Sequence, residues 1–223
     1  MVRIVRRETN GGEVIAFNYY PINFYFTKKP LNTLDDVKGL KTRVHSGVLQ
    51  DLLNHLGASA QFMTFADVYP ALERGVLDAA VTCSTCGIGQ KWYEVTTHLT
   101  GPFPGTFGQT FITFAKREWD KMPEDIQAII REVGEEYTIE SAKIVFDWDA
   151  EALDLLIGFG MIHQEFTPKM AATVRAAAVD AVVPNWAKKA GGFDSEAVQL
   201  YNEKVAPITG IEILSDGTAR ETN

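Results

Sequence analysis

Two periodicities trade places along the first hundred residues. Leu49, Leu52, Leu53 and Leu56 recur at i, i+3, i+4 and i+7, which predicts a helix over 48–56 stopped by Gly57. Before it, "EVIAFNYY" (13–20) is rich in β-branched and aromatic residues and reads as a strand. "LNTLDDVKGL" follows as a turn-rich connector, and "KTRVHS" (41–46) as a short strand ended by Gly47. "AQFMTF" is the next strand. "TFAD" (64–67) carries the T-x-x-D spacing of a capping box and opens a helix ending at Gly75. "VLDAAVT" reads as a third strand, and "GIGQKWYEVTTH" as the start of a third helix. Strand and helix alternate here, the pattern of an α/β fold with a parallel sheet covered by helices.

Strand character returns at "GQTFITFAK" (108–116), and Pro123 is well placed to start a helix. Ile126, Ile129, Ile130, Val133, Tyr137, Ala142, Val145 and Leu153 then mark one broad apolar face, with no proline before Gly158. A helix of that length spans about 50 Å, longer than one small lobe, and is expected to bridge two. "GMIHQEF" reads as a strand, Pro168 as the start of a helix running past Trp186, and 195–205 as a last short helix.

Composition narrows the function. The chain has 223 residues, 46% of them hydrophobic, enough for a real core. A net charge of −8, with no basic run beyond "VRRE", argues against nucleic acid or an anionic membrane as partner. No apolar stretch approaches the ~20 residues that span a bilayer. The opening "MVRIVRRETNGGEV" lacks the apolar core of a secretory signal.

Two features carry candidate chemistry. Cys83 and Cys86 are the only cysteines and form a C-x-x-C between a strand and a helix. Dithiol redox chemistry fits that position. So does a disulfide that fixes a loop, or a plain small-residue loop at the carboxyl end of a strand, where α/β sheets bind ligands. In that last reading Thr82, Ser84 and Thr85 offer hydroxyl and backbone donors. Zinc needs about four ligands, whereas His45, His55, His98 and His163 are scattered and no second C-x-x-C exists, so no metal is expected. Phosphate-loop, nucleophile-elbow and H-E-x-x-H motifs are missing too, so no cofactor is expected.

Arg43 is the second feature. A guanidinium inside a short strand is costly to bury unless an anion faces it, either a structural carboxylate or that of a ligand gripped in a bidentate fork. "DWDAE" (147–151) reads as a solvated helix face. Tyr20, Tyr25, Phe65 and Phe103 are candidate pocket walls, with core packing as the competing reading for each.

Read together, "NTLDDVKGLKTRV", "LGASAQFMTFADVYPALERGVLDAAV" and "QKWYEVTTHL" resemble the TRAP-transporter solute-binding proteins of the dicarboxylate-binding, DctP-like family. The ordered segments D-x-K-G-L-K-x-R-V, L-G-A-x-x-x-x-M-x-F-x-[DE]-V-Y-x-A-L, G-x-[VL]-D and K-[FWY]-Y-E-V all occur. The resemblance implies a two-lobe, periplasmic-binding-protein-like α/β fold with hinge strands, which closes on a small organic acid without catalysis. It implies a periplasmic location and TRAP membrane permease subunits as partners.

Residue by residue, it puts the carboxylate-pairing arginine on Arg43 and the pocket aromatic on Phe65. Thr82 falls where the family often has Asn, and Asn23 where sialic-acid-binding members have a second arginine. Arg43, Phe65 and Thr82, with Tyr20, Ser84, Thr85 and Phe103, make the expected ligand site. The family's opening βα units have no counterpart here, so lobe I is expected to be incomplete, the chain being a carboxy-terminal portion. Residues 1–20 and 109–148 then belong to lobe I with the bridging helix, and 21–108 and 149–223 to lobe II. The alternative is a dithiol oxidoreductase or redox-regulated enzyme using Cys83 and Cys86.

Overall fold

The computed structural model describes residue 6 and residues 9–104 and 108–222. Of the opening "MVRIVRRETNGGEV" read for a secretory signal, residues 1–5, 7 and 8 lie outside the described residues.

The centre of the molecule is a six-stranded sheet in the order β4-β3-β5-β2-β6-β8. It uses β2 (Asn23–Thr27), β3 (Lys41–Val44), β4 (Ser59–Phe62), β5 (Ala79–Cys83), β6 (His98–Thr100) and β8 (Ile162–Gln164). The expected parallel sheet is therefore corrected in one respect. β3, β4 and β5 run parallel, as do β6 and β8, but β2 is antiparallel to both β5 and β6. All five residues of β2 are buried, so "NFYFT" has no polar-apolar alternation to announce it.

Both faces of this sheet are covered. Tyr25, Val44 and Val81 pack under helix α1 (Gly47–His55) and, further along, α6 (Pro168–Ala177). Phe24, Phe26 and Ala80 point the other way, onto α2 (Phe65–Glu73), Trp92 and Leu156. The leucine stripe of α1 is buried at Leu49, Leu52 and Leu53, and Ser46 caps the helix by accepting from the Leu49 N–H. The third helix departs from expectation. It is α3 (Ser84–Gly89), only six residues long. Lys91 turns left-handed at φ 54°, and His98, the last residue of the stretch expected to start a helix, opens β6. Two glycines within α3 and the run Val95-Thr96-Thr97 beyond it all disfavour helix there.

A second, smaller unit is the antiparallel ladder of β1 (Glu13–Tyr20) and β7 (Gly108–Phe114). After the one-turn α4 (Lys116–Trp119) comes α5 (Glu124–Gly158), a continuous helix of 35 residues. Its first half packs on β1: Thr138 Oγ1 accepts from the Phe17 N–H at 3.0 Å and Ser141 Oγ donates to the Phe17 carbonyl at 3.2 Å. Its last turns reach the large sheet through Leu153 and Leu156. Burial follows a seam of small residues, Gly134, Ser141, Val145 and Ala152. The broad face expected from the sequence is largely bare at Ile126, Ile129, Val133 and Tyr137.

Beyond β8, a π-helical turn (Ala178–Val182) links α6 to α7 (Val183–Lys189). Pro184, which has no N–H, sits at that junction. α8 (Glu196–Lys204), the one-turn α9 (Ala206–Thr209) and the hairpin of β9 (Ile211–Ile213) with β10 (Ala219–Glu221) close the chain around Ala187, Val198 and Ile213.

Candidate functional site

The strand ends converge on one place. β3 stops at Val44 and β5 at Cys83, and antiparallel β2 starts beside them with Asn23 opposite Cys83. There the chain passes through Pro21 and Ile22 to the small ladder, whose near end pairs Tyr20 with Gly108. Between the two sheets lies a cavity of about 290 Å³. Its large-sheet wall is Asn23, His45, Phe65, Thr82, Cys83 and Cys86, and its ladder wall is Tyr20, Pro21, Gly108, Gln109 and Thr110.

Arg43 lies beneath this wall rather than in it. It is 2% exposed. Its Nε donates to the Met63 carbonyl at 2.9 Å and its Nη1 to the Val81 carbonyl at 3.2 Å. The guanidinium carbon sits 4.4 Å from the centre of the Phe65 ring and 5.5 Å from Trp92. Of the five N–H groups a guanidinium carries, the rest find no partner among the described residues, and no carboxylate reaches it. Burial brings its pKa down to about 10, so it remains charged at neutral pH. Phe65, 38% exposed, covers the guanidinium and separates it from the cavity.

His45 follows β3 two residues after Arg43 and opens onto the cavity, with Nε2 3.3 Å from Asn23 Oδ1. His45 is exposed at the cavity; the partial desolvation it meets there first, and then the Arg43 charge, hold its pKa below the ordinary histidine range, against a smaller raising by a backbone hydrogen bond.

Cys83 and Cys86 are joined in a disulfide that forms part of the wall. The Cys86 N–H points to Cys83 Sγ at 3.3 Å, and Thr85 Oγ1 lies 3.4 Å from the same sulfur. No free thiol remains.

Of the residues singled out from sequence, Tyr20, Phe65, Thr82, Cys83 and Cys86 line the cavity together. Ser84 is buried and donates to Asp149 on α5, so its hydroxyl ties the loop to the long helix and faces no ligand space. Burial raises the Asp149 pKa, against a smaller lowering by that hydrogen bond. Thr85 lines a separate shallow groove with Trp148 and Leu155. Phe103 is 0% exposed and packs against Tyr25 and Phe166 in the core, which removes it from the cavity wall.

Asn23, His45, Gln109 and Thr110 were missed. His45 was recoverable, because a strand places residue 45 on the same face as residue 43. Asn23 opens the unannounced strand β2, and the resemblance had marked its position only as one where some members carry an arginine. Among the described residues no group of three or more His, Cys, Asp or Glu is placed to hold a metal. No helix among them is long and apolar enough to cross a membrane.

The model of one family, bacterial extracellular solute-binding protein family 7 (DctP), matches residues 8–189. The C4-dicarboxylate-binding periplasmic protein DctP of Vibrio cholerae is 33% identical over 186 residues, which cover 79% of this chain and 53% of that protein. Its namesake in Rhodobacter capsulatus is 32% identical over 150 residues, covering 67% and 45%. This chain thus spans about half the length of the curated relatives it matches. Among solved structures, a TRAP periplasmic solute binding protein from Desulfovibrio salexigens with bound orotic acid superposes with a TM-score of 0.82. At 24% identity, covering 92% of this chain and 67% of that one, it shares the two-lobe fold.

Proposed function

The chain belongs to the DctP family of bacterial extracellular solute-binding proteins, and from that premise we propose that it captures a small organic acid in the cleft between its two sheets, without catalysis, for a TRAP-type transporter. The observation that carries this reading is Arg43: a buried cation with no acidic partner among the described residues, one aromatic ring away from a cavity. An unpaired charge in that setting is costly, and an incoming carboxylate supplies the missing counter-ion. For that contact Phe65 has to swing aside, which its position at the exposed first turn of α2 permits.

In this reading Tyr20 and Thr82 shape the pocket with Phe65, and the disulfide fixes the loop beside Thr82. Residues 1–20 and 109–148 act as part of the first lobe, and 21–108 with 149–223 as the second. The partition is supported by the separate ladder of β1 and β7 and the separate six-stranded sheet. The membrane permease and the periplasmic location come with the family, whose curated members here are named periplasmic.

Arg43→Ala tests the proposal. Loss of a desolvated charge partner costs about 2–5 kcal/mol, or roughly 30-fold to several thousandfold in affinity. Titration calorimetry with malate and with orotate should show that loss while circular dichroism shows the fold retained. Unchanged affinity with reduced stability would make Arg43 a structural staple between Met63 and Val81 instead.

A further inference from the structure

We propose that His45 makes ligand capture proton-linked: a carboxylate entering the cavity draws a proton from solvent onto the His45 ring, so the site binds acids more tightly as the medium becomes more acidic. The inference deepens the carboxylate-capture reading and rests on it.

Arg43 lies in β3 and His45 just past its last residue, Val44, two positions on, close enough for the guanidinium charge to bear on the imidazole. Of the two, only His45 borders the cavity. Its Nε2 lies 3.3 Å from the Asn23 amide oxygen, an acceptor for the proton that Nε2 carries when the ring is charged.

The surroundings of the ring favour the neutral form. Of the two cations on β3, Lys41 and Arg43, it is Arg43 whose charge bears on the ring. On the neighbouring α7, Lys189 approaches Gly47 and is already paired with Asp51 at 2.6 Å. Across the cavity stands Tyr20, the disulfide shares the wall that carries the ring, and none of the described cavity-lining residues is Asp or Glu. Among the described residues, nothing anionic lines the cavity beside His45. The ligand's carboxylate is the first negative group it meets, and an opposite charge at contact raises a histidine pKa.

The sign follows from linkage. Below the empty-site pKa the ring is protonated with or without ligand, and affinity is at its highest. As pH rises through the window between the empty-site and bound-state values, affinity falls by up to about tenfold per pH unit. Above the window it levels off, because the ring is then neutral in both states.

The test is titration calorimetry of the chain with L-malate at pH 6.5, in buffers of different ionisation enthalpy, beside the variant His45→Gln. The wild type should take up a sizeable fraction of a proton more than the variant does, and its affinity should fall more steeply from pH 6 to 7.5. Equal proton uptake and equal pH dependence in the two proteins would overturn the proposal while leaving carboxylate capture standing. Absence of malate binding at every pH would overturn both. A second measurement needs no ligand and guards against a misfolded variant: the imidazole proton resonance of His45 should titrate below the ordinary value of about 6.5. A midpoint at or above that value overturns the inference.

Discussion

The six-stranded sheet and the two-stranded ladder differ in how much of their apolar surface is covered. The large sheet has helices on both faces, and Leu72, Leu77, Trp92 and Leu99 are fully buried. The ladder has α5 on one side only, and Phe111, Ile112, Ile126, Ile129 and Val133 stand exposed around it. A two-stranded ladder is marginal by itself, so β1 and β7 depend on their docking to α5. The contrast teaches that the two units draw stability from different sources: burial of a filled core in one, a narrow seam against a single helix in the other.

Three substitutions sharpen or break that contrast. The largest effect is expected at Leu72→Ala, which opens a void in the filled core and should cost about 2–5 kcal/mol in denaturant unfolding. Next is Gly134→Ala on the seam. A methyl there meets the Ile15 carbonyl oxygen at 2.3 Å, so β1 has to move off the helix. The expected cost is about 1–3 kcal/mol, with hydrogen exchange accelerated along β1 but not along β3 or β5. A neutral result would mean that β1 and α5 are not in close contact in solution. The smallest effect is expected at Ile129→Ser, within about 0.5 kcal/mol because the side chain is already bare. That variant should also bind less of an apolar dye. A loss as large as that of Leu72→Ala would show this face to be covered in solution, and the comparison between the two units would collapse.

Much of this was legible in the residues, for reasons that also explain the misses. The leucines of α1 and the proline-started α5 announce themselves by local spacing, and the structure returns both. β2 was illegible because a strand buried on both faces has no alternation, and its direction depends on partners distant in sequence. The long helix shows which information is missing from periodicity. An apolar stripe reports what a helix would bury, whereas Gly134 and Ser141 mark what this one does bury, and small residues look neutral in a pattern read. At the site, Arg43 stood out as a misplaced charge. Phe103 did not betray its orientation, since an aromatic is equally at home in a core and in a wall.

The joined sulfurs of Cys83 and Cys86 have a practical consequence at the bench. With the chain's two cysteines locked together, maleimide and iodoacetamide reagents find nothing to modify. A single cysteine introduced on the exposed rim, at Thr110 for instance, would then carry a fluorophore at one defined spot overlooking the crevice. Its emission would give an optical readout of occupancy, provided no reducing agent is added.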